Sequence, residues 1–286
     1  MELFFDMLRS IVYGVIEGVT EWLPISSTGH MILAEQVLKF SLSAEFMEMF
    51  RVVIQLGAIL AVVVLYFKKL WPFCSDNGRD SGLARHIRWP VMRLWGKILV
   101  ACLPAAVLGL LLDDWMDAHL YNSVVVAIML IVYGIAFILI ERRPRVPTTT
   151  KLSRITCKQA IIVGAWQVLA LIPGTSRSGA TIIGGLLCGM SRACASQFTF
   201  FLAIPVMAGA SGLKLVKFLA KGGVFTLGEV GTLLVGCIVA FVVSILAIRF
   251  LMDYVKKHTF TVFGWYRIAL GILVLGIWAL QSFVLA

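Results

Sequence analysis

Charge is scarce in this chain, and acidic charge is scarcest. Only 14% of its 286 residues are Asp, Glu, Lys or Arg, with 15 acidic against 25 basic. A soluble globular domain is nearer a quarter charged and half apolar. Here 60% of residues are hydrophobic and the mean hydropathy is +0.96, which excludes an ordinary soluble fold. Cysteine is sparse as well. Cys74, Cys102, Cys157, Cys188, Cys194 and Cys237 form no CxxC pair and no metal spacing, so they read as packing residues. The N-terminus lacks a basic leader region, carrying Glu2, Asp6 and Arg9, and no small-x-small cleavage site follows. No cleavable signal is therefore expected. A GxxxxGK[ST] phosphate loop is also missing.

What is present in quantity is long apolar segments. A hydrocarbon core of ~30 Å needs about twenty apolar residues in a helix. Six segments qualify as spans, at 46–67, 93–112, 121–140, 195–218, 229–251 and 262–283. Two further stretches, 5–38 and 157–190, are interrupted by Pro24-Ile-Ser-Ser-Thr-Gly-His30 and by Pro173-Gly-Thr-Ser-Arg-Ser-Gly179. Their flanks are short, which predicts re-entrant helical hairpins. Such breaks exist at membrane depth only where protein or trapped water satisfies the loose backbone. The simpler alternative is two ordinary spans joined by a surface turn.

The two broken stretches repeat. A shift of 150 residues sets Gly14 on Gly164, Glu17 on Gln167, Ser26 on Ser176, Gly29 on Gly179, Phe50 on Phe200 and Ile54 on Ile204. The last spans align less closely, with Gly134 falling near Gly276. Each half is one hairpin plus three spans, and three is odd. The second half must then enter from the opposite side. The expectation is an all-α polytopic membrane protein with six transmembrane helices plus two re-entrant helical hairpins in an inverted-topology repeat. It forms a single integral membrane domain over 1–286, with repeats at about 1–143 and 150–286.

Charge sets an expected orientation. The loops near 68–97, 141–158 and 249–261 hold sixteen of the 25 basic residues, including Arg79 and Arg145. The opposite side receives Lys39, Lys214, Lys217, Lys221 and the acids Asp113, Asp114 and Asp117. The positive-inside rule makes the basic side cytoplasmic, with both termini outside. The net charge of +10 is mostly this bias, with contact to anionic membrane lipid, and needs no nucleic acid.

The breaks carry the chemistry. Glu17 and Glu21 share one helix face within the apolar run from Ile11 to Leu23. Carboxylates there are costly and mark functional sites. Ser26, Ser27, Thr28 and His30 follow directly. The hydroxyls suit helix capping, and they also place a nucleophile and a proton carrier beside two acids. The second loop brings Arg177 among Ser176, Ser178 and Thr181. A helix start with free N–H groups and an arginine fork fits phosphate, although a purely structural pairing of Arg177 with Glu17 or Glu21 is the plainer role. Carboxylates beside an anion would repel it unless they move protons or hold a divalent metal. The combination points to phosphoryl chemistry. A proton- or ion-coupled transporter, or a lipid flippase, remains the rival class. The acid-phosphatase-like lipid phosphatases do not fit, because the only histidine after Arg177 is His258, with no aspartate following.

Glu17-Gly-Val-Thr-Glu21-Trp-Leu-Pro-Ile-Ser-Ser-Thr-Gly-His30 and Pro173-Gly-Thr-Ser-Arg-Ser-Gly-Ala-Thr181 resemble the two signature motifs of the bacterial undecaprenyl-pyrophosphate phosphatase (bacitracin-resistance) family. Phe50-Arg-Val-Val-Ile-Gln-Leu-Gly57 resembles a third recurring stretch of that family. The resemblance covers nearly the whole chain. It implies hydrolysis of undecaprenyl diphosphate to the carrier lipid phosphate in the bacterial cytoplasmic membrane. It implies a site open to the outside, a divalent cation (Mg²⁺ or Ca²⁺), bacitracin acting by competing for the substrate, and room for a homodimer. By position, Glu17 and Glu21 would serve in metal binding or proton transfer. Ser27 would be a nucleophile or a donor to the phosphate, and His30 a nucleophile or general acid, with direct attack by water the third route. Ser26, Thr28, Ser176, Arg177, Ser178 and Thr181 would hold the diphosphate, with Gln55 a weaker lining candidate.

Overall fold

A computed structural model describes residues 2–38, 40–75, 85–143 and 146–284. Lys39, Arg79 and Arg145 lie outside the described residues, as do the side chains of Asp113, Asp114 and Asp117.

The described residues form helices joined by short loops, with no strand among them. The helices are α1 (Glu2–Thr20), α2 (Ser27–Val37), α3 (Ala44–Val53), α4 (Gln55–Leu65), α5 (Phe67–Leu70) and α6 (Trp89–Leu120). They continue as α7 (Ser123–Glu141), α8 (Cys157–Val168), α9 (Arg177–Leu187), α10 (Arg192–Ala220), α11 (Leu227–Lys257) and α12 (Thr261–Val284). Six spans are long and apolar enough to cross a membrane: Ala44–Leu65, Trp89–Leu112, Ser123–Glu141, Arg192–Ala220, Leu227–Lys257 and Thr261–Ser282. The six segments predicted from hydropathy match them one for one. The chain is a multi-pass membrane protein.

The first helix is inside out relative to a helix of a soluble bundle. On α1, Leu3, Phe4, Phe5, Leu8, Ile11, Val12 and Val15 are exposed, while Asp6, Ser10, Glu17 and Thr20 are buried. Lipid removes any penalty for exposed leucine and phenylalanine, so the polar face must be the one that packs.

Glycine decides how closely that face packs. A β-carbon on Gly14 would lie 2.7 Å from the Gly236 carbonyl oxygen of α11. Gly164 of α8 meets the backbone of Ala101 on α6 in the same way, and Gly57 of α4 meets Cys237 of α11. On α7 and α12, Gly134 and Gly264 face each other, each 2.7 Å from the other's carbonyl when a β-carbon is added. A β-carbon added at Gly276, which the sequence repeat set near Gly134, would meet nothing within 4 Å. Gly57→Ala is expected to cost about 1–3 kcal/mol or more by pushing α4 off α11. Gly209→Ala, where a β-carbon meets nothing within 4 Å, should not lower the melting temperature in detergent. Equal melting temperatures for the two variants would contradict the packing assigned to α4.

Hydrogen bonds tie the helix ends into two groups. Arg192 and the Phe260 amide donate to Glu141, Lys97 donates to the Ile155 carbonyl at 2.5 Å, and Gln159 donates to Thr149 and to the Cys188 carbonyl. These bonds gather the described parts of all three basic loops at one end. At the other, the Ser41 amide donates to Asp6 at 3.2 Å and Lys214 pairs with Glu48 at 2.6 Å.

Candidate active site

The first break begins where α1 runs out. The Glu21 amide still donates to the Glu17 carbonyl at 3.0 Å, but Pro24 ends the regular ladder three residues later. The second break begins after a short 3₁₀ turn, Leu169–Leu171. Both breaks then restart a helix in the same manner. Ser26 and Ser176 have φ of 75° and 70°, a region that L residues rarely occupy. Each side chain accepts a hydrogen bond from the glycine three residues on, Gly29 at 3.4 Å and Gly179 at 3.2 Å. Such backbone costs of order 1–3 kcal/mol per residue and persists only where the surroundings dictate it. Ser27 and Arg177 thereby become the first residues of α2 and α9, with the unsatisfied N–H groups of each helix start beside them.

The two restarts face each other. Ser27 Oγ donates to Glu21 Oε2 at 3.0 Å. Arg177 donates to Glu21 Oε1 through Nη2 at 3.0 Å and Nε at 3.3 Å, and through Nη1 to the Thr199 carbonyl at 3.1 Å. One carboxylate therefore touches both a hydroxyl and a guanidinium 156 residues away in sequence. Arg177 also lies over the Trp22 ring, 5.9 Å from its centroid, and Trp22 is fully buried against Phe200. The pairing of Arg177 with an acid, set out above as its plainer role, is present. It is also what lines the arginine up with Ser27.

The remaining hydroxyls support this arrangement. Ser178 Oγ lies 3.1 Å from Ser176 Oγ and donates to the Leu23 carbonyl of the first loop at 3.4 Å. Thr181 Oγ1 donates to the Arg177 carbonyl at 2.8 Å and accepts from Thr199 Oγ1 at 2.9 Å. Ser26 is fully buried and serves as a cap. Thr28 is half-buried on the first turn of α2. His30 Nδ1 donates to the Ser26 carbonyl at 2.7 Å, so Nε2 accepts from the Tyr266 hydroxyl, also at 2.7 Å, when the ring is neutral. Gln55 opens α4 half-exposed and has no hydrogen bond to either loop among the described residues.

Glu17 is 1% exposed, and its Oε1 has no hydrogen-bond partner among the described residues. A buried, unpaired carboxylate oxygen is expensive and calls for a proton or a cation. No group of three His, Cys, Asp or Glu side chains able to hold a metal occurs among the described residues. Mg²⁺, however, is commonly bound by one or two carboxylates, with substrate phosphates completing its shell. Glu17 and Glu21 fit that pattern.

Four neighbours of the site were not predicted from the sequence: Trp22, Thr199, Tyr266 and Arg267. Only Arg267 left a signal, as a lone arginine inside the apolar span 262–283. The cost that singled out Glu17 and Glu21 applies to it equally.

The family model of the bacitracin resistance protein BacA matches residues 10–273. The chain is 60% identical over 278 residues to an undecaprenyl-diphosphatase of Enterococcus faecalis, covering 96% of this chain and 99% of that one. It is 55% identical over 282 residues to an undecaprenyl-diphosphatase of Streptococcus gordonii, with 98% of each covered. A relative of the same name in Lactococcus lactis subsp. cremoris is 55% identical over 283 residues, covering 98% of this chain and 99% of that one. Both loops that meet at Glu21 fall inside these matched regions, and the chain belongs to the bacitracin resistance protein BacA family.

Proposed function

We infer that this chain hydrolyses undecaprenyl diphosphate to undecaprenyl phosphate and inorganic phosphate, recycling the lipid carrier for peptidoglycan and other envelope polymers. The observation that carries the reading is Glu21, held at once by Ser27 and Arg177 between two helix starts. Relatives named for this activity support it over transport.

In this reading Ser27 Oγ attacks the terminal phosphorus while Glu21 accepts its proton. The bond from that phosphorus to the bridging oxygen breaks, and undecaprenyl phosphate leaves. Water then releases inorganic phosphate from the serine, with Glu21 or His30 carrying the proton. Arg177 and the N–H groups opening α2 and α9 neutralise charge on the transferred phosphoryl group. Ser176, Ser178, Thr28 and Thr181 hold or orient the diphosphate, and Ser26 shapes the turn. A divalent cation, Mg²⁺ or Ca²⁺, held by Glu17 with Glu21, supplies further charge neutralisation when bound. Gln55 is left a lining residue at most.

Two re-entrant hairpins and an inverted repeat complete the reading. Its support is the matched strained serines, 150 residues apart, and the bonds that return each pair to its starting end: Asp6 to Ser41 for α1–α2, Gln159 to Cys188 for α8–α9. With the basic loops cytoplasmic, the protein sits in the bacterial cytoplasmic membrane with both termini and the site facing outward. The prenyl tail then lies among apolar helix faces, and bacitracin competes by sequestering the substrate. The small residues Gly209 and Gly212, where an added β-carbon would meet nothing within 4 Å, leave room for a homodimer.

Purified protein in detergent should release phosphate from undecaprenyl diphosphate, and the Glu21→Gln, Arg177→Ala double variant should not. Equal release by both would overturn the enzyme reading. Lipid flipping in liposomes by that double variant would favour transport.

A further inference from the structure

Arg267 is fully buried, and the reaction outlined above gives it no role. It sits on α12 between Gly264 and Gly271, the two positions where a β-carbon would lie 2.7 and 2.8 Å from the Gly134 and Ala127 carbonyl oxygens of α7. That backbone contact carries its guanidinium to both broken loops. Nη1 donates to the Pro24 carbonyl at 3.2 Å. Nη2 donates to the Gly174 and Thr175 carbonyls, each at 2.9 Å. Longer bonds of 3.5 Å reach the Leu130 and Met129 carbonyls, and the head lies 5.5 Å from the Tyr133 ring centroid. No carboxylate pairs with it among the described residues.

A buried arginine without an acid is costly, so its partners must need it. Carbonyls in an irregular loop at membrane depth have no ladder to accept from. One planar guanidinium offers five donors in a fixed fork, and here the fork spans the two loops. Pro24 lies three residues before Ser27, and Thr175 two before Arg177.

We propose that Arg267 is the positioning residue that holds the Pro24 and Gly174–Thr175 loops in register, so that Ser27 and Arg177 meet across Glu21. The kinetic part of this assignment rests on the phosphatase reading. Loss of the clamp moves reacting groups without removing any of them. A displacement near 1 Å costs about 10²-fold in rate.

The test uses Arg267→Met and Arg267→Lys in full-length purified protein. Per monodisperse protein, Arg267→Met should lose about 10²-fold in kcat with KM within a few-fold. Arg267→Lys keeps the charge and part of the reach, and should recover part of the rate. A second readout needs no activity. Spin labels at Val37→Cys and Leu187→Cys, both exposed positions at the far ends of α2 and α9, are placed in a chain lacking its six native cysteines. Their distance distribution should be narrow with Arg267, broad with Met and intermediate with Lys. Wild-type kcat in Arg267→Met, or an unchanged distribution in both variants, overturns the clamp. Absence of phosphate release by the wild-type chain would instead overturn the phosphatase reading, and the label distances would still decide the clamp.

Discussion

Arg177→Ala is expected to lower the rate of phosphate release about 10³-fold or more, the scale set by arginines that neutralise a transferring phosphoryl group. The variant has a second cost. Glu21 would be left a buried carboxylate without its cation, which destabilises by about 3–5 kcal/mol. Arg177→Lys separates the two effects. Lysine keeps the charge, but it is a point donor on a flexible stem and does not reproduce the fork. Wild-type Arg177 reaches Glu21 Oε1 twice and the Thr199 carbonyl once, and one ammonium cannot span that set in the same geometry. The lysine variant should therefore unfold near the wild-type temperature yet remain at least about 10²-fold slow. A lysine variant with full kcat would show that charge alone suffices and that the fork is structural.

Removing one oxygen has the other large effect. Ser27→Ala should lose about 10³-fold or more in kcat, because a nucleophile acts as a unit with its base and neither compensates for the other. Ser26→Ala is the control. Ser26 Oγ caps α2, and losing a cap costs about 1 kcal/mol of stability rather than the chemistry. The geometry favours Ser27 over His30. Ser27 Oγ already donates to a carboxylate, whereas both ring nitrogens of His30 are engaged by the Ser26 carbonyl and Tyr266. Quenching turnover of radiolabelled substrate and mapping the phosphopeptide checks this directly. Label on His30, or full activity of Ser27→Ala, refutes the serine route. Wild-type turnover that leaves no phosphoprotein points to direct attack by water.

The two halves carry different chemistry at matching positions. Glu17 aligns with Gln167, Ser27 with Arg177 and His30 with Ala180. The first break holds the acids and the hydroxyl proposed as nucleophile; the second holds the cation. Neither loop is a site alone, since each lacks the charge that the other supplies.

Hydropathy located the six spans and both breaks because the solvent acts on each residue locally. A helix facing hydrocarbon must be apolar wherever it is, and a break must carry proline, glycine and hydroxyls. The cost of ionisable groups at membrane depth singled out Glu17 and Glu21 on the same local grounds, and a helix start with an arginine fork singled out Arg177. What one stretch of sequence cannot hold is the identity of a partner 156 or 243 residues away. That Arg177 takes Glu21 rather than Glu17 was decided by the approach of two helix starts. That Arg267 reaches both loops was decided by two glycines that let α12 lie against α7. Gln55, included on resemblance, has no bond to the loops for the same reason: proximity in a bundle follows from packing, which no motif records. The sequence by itself determined a membrane-embedded chain with two polar breaks and the residue types for phosphoryl chemistry. Only the tertiary structure brought those breaks together, because the bonds that join them form between segments whose local patterns are independent.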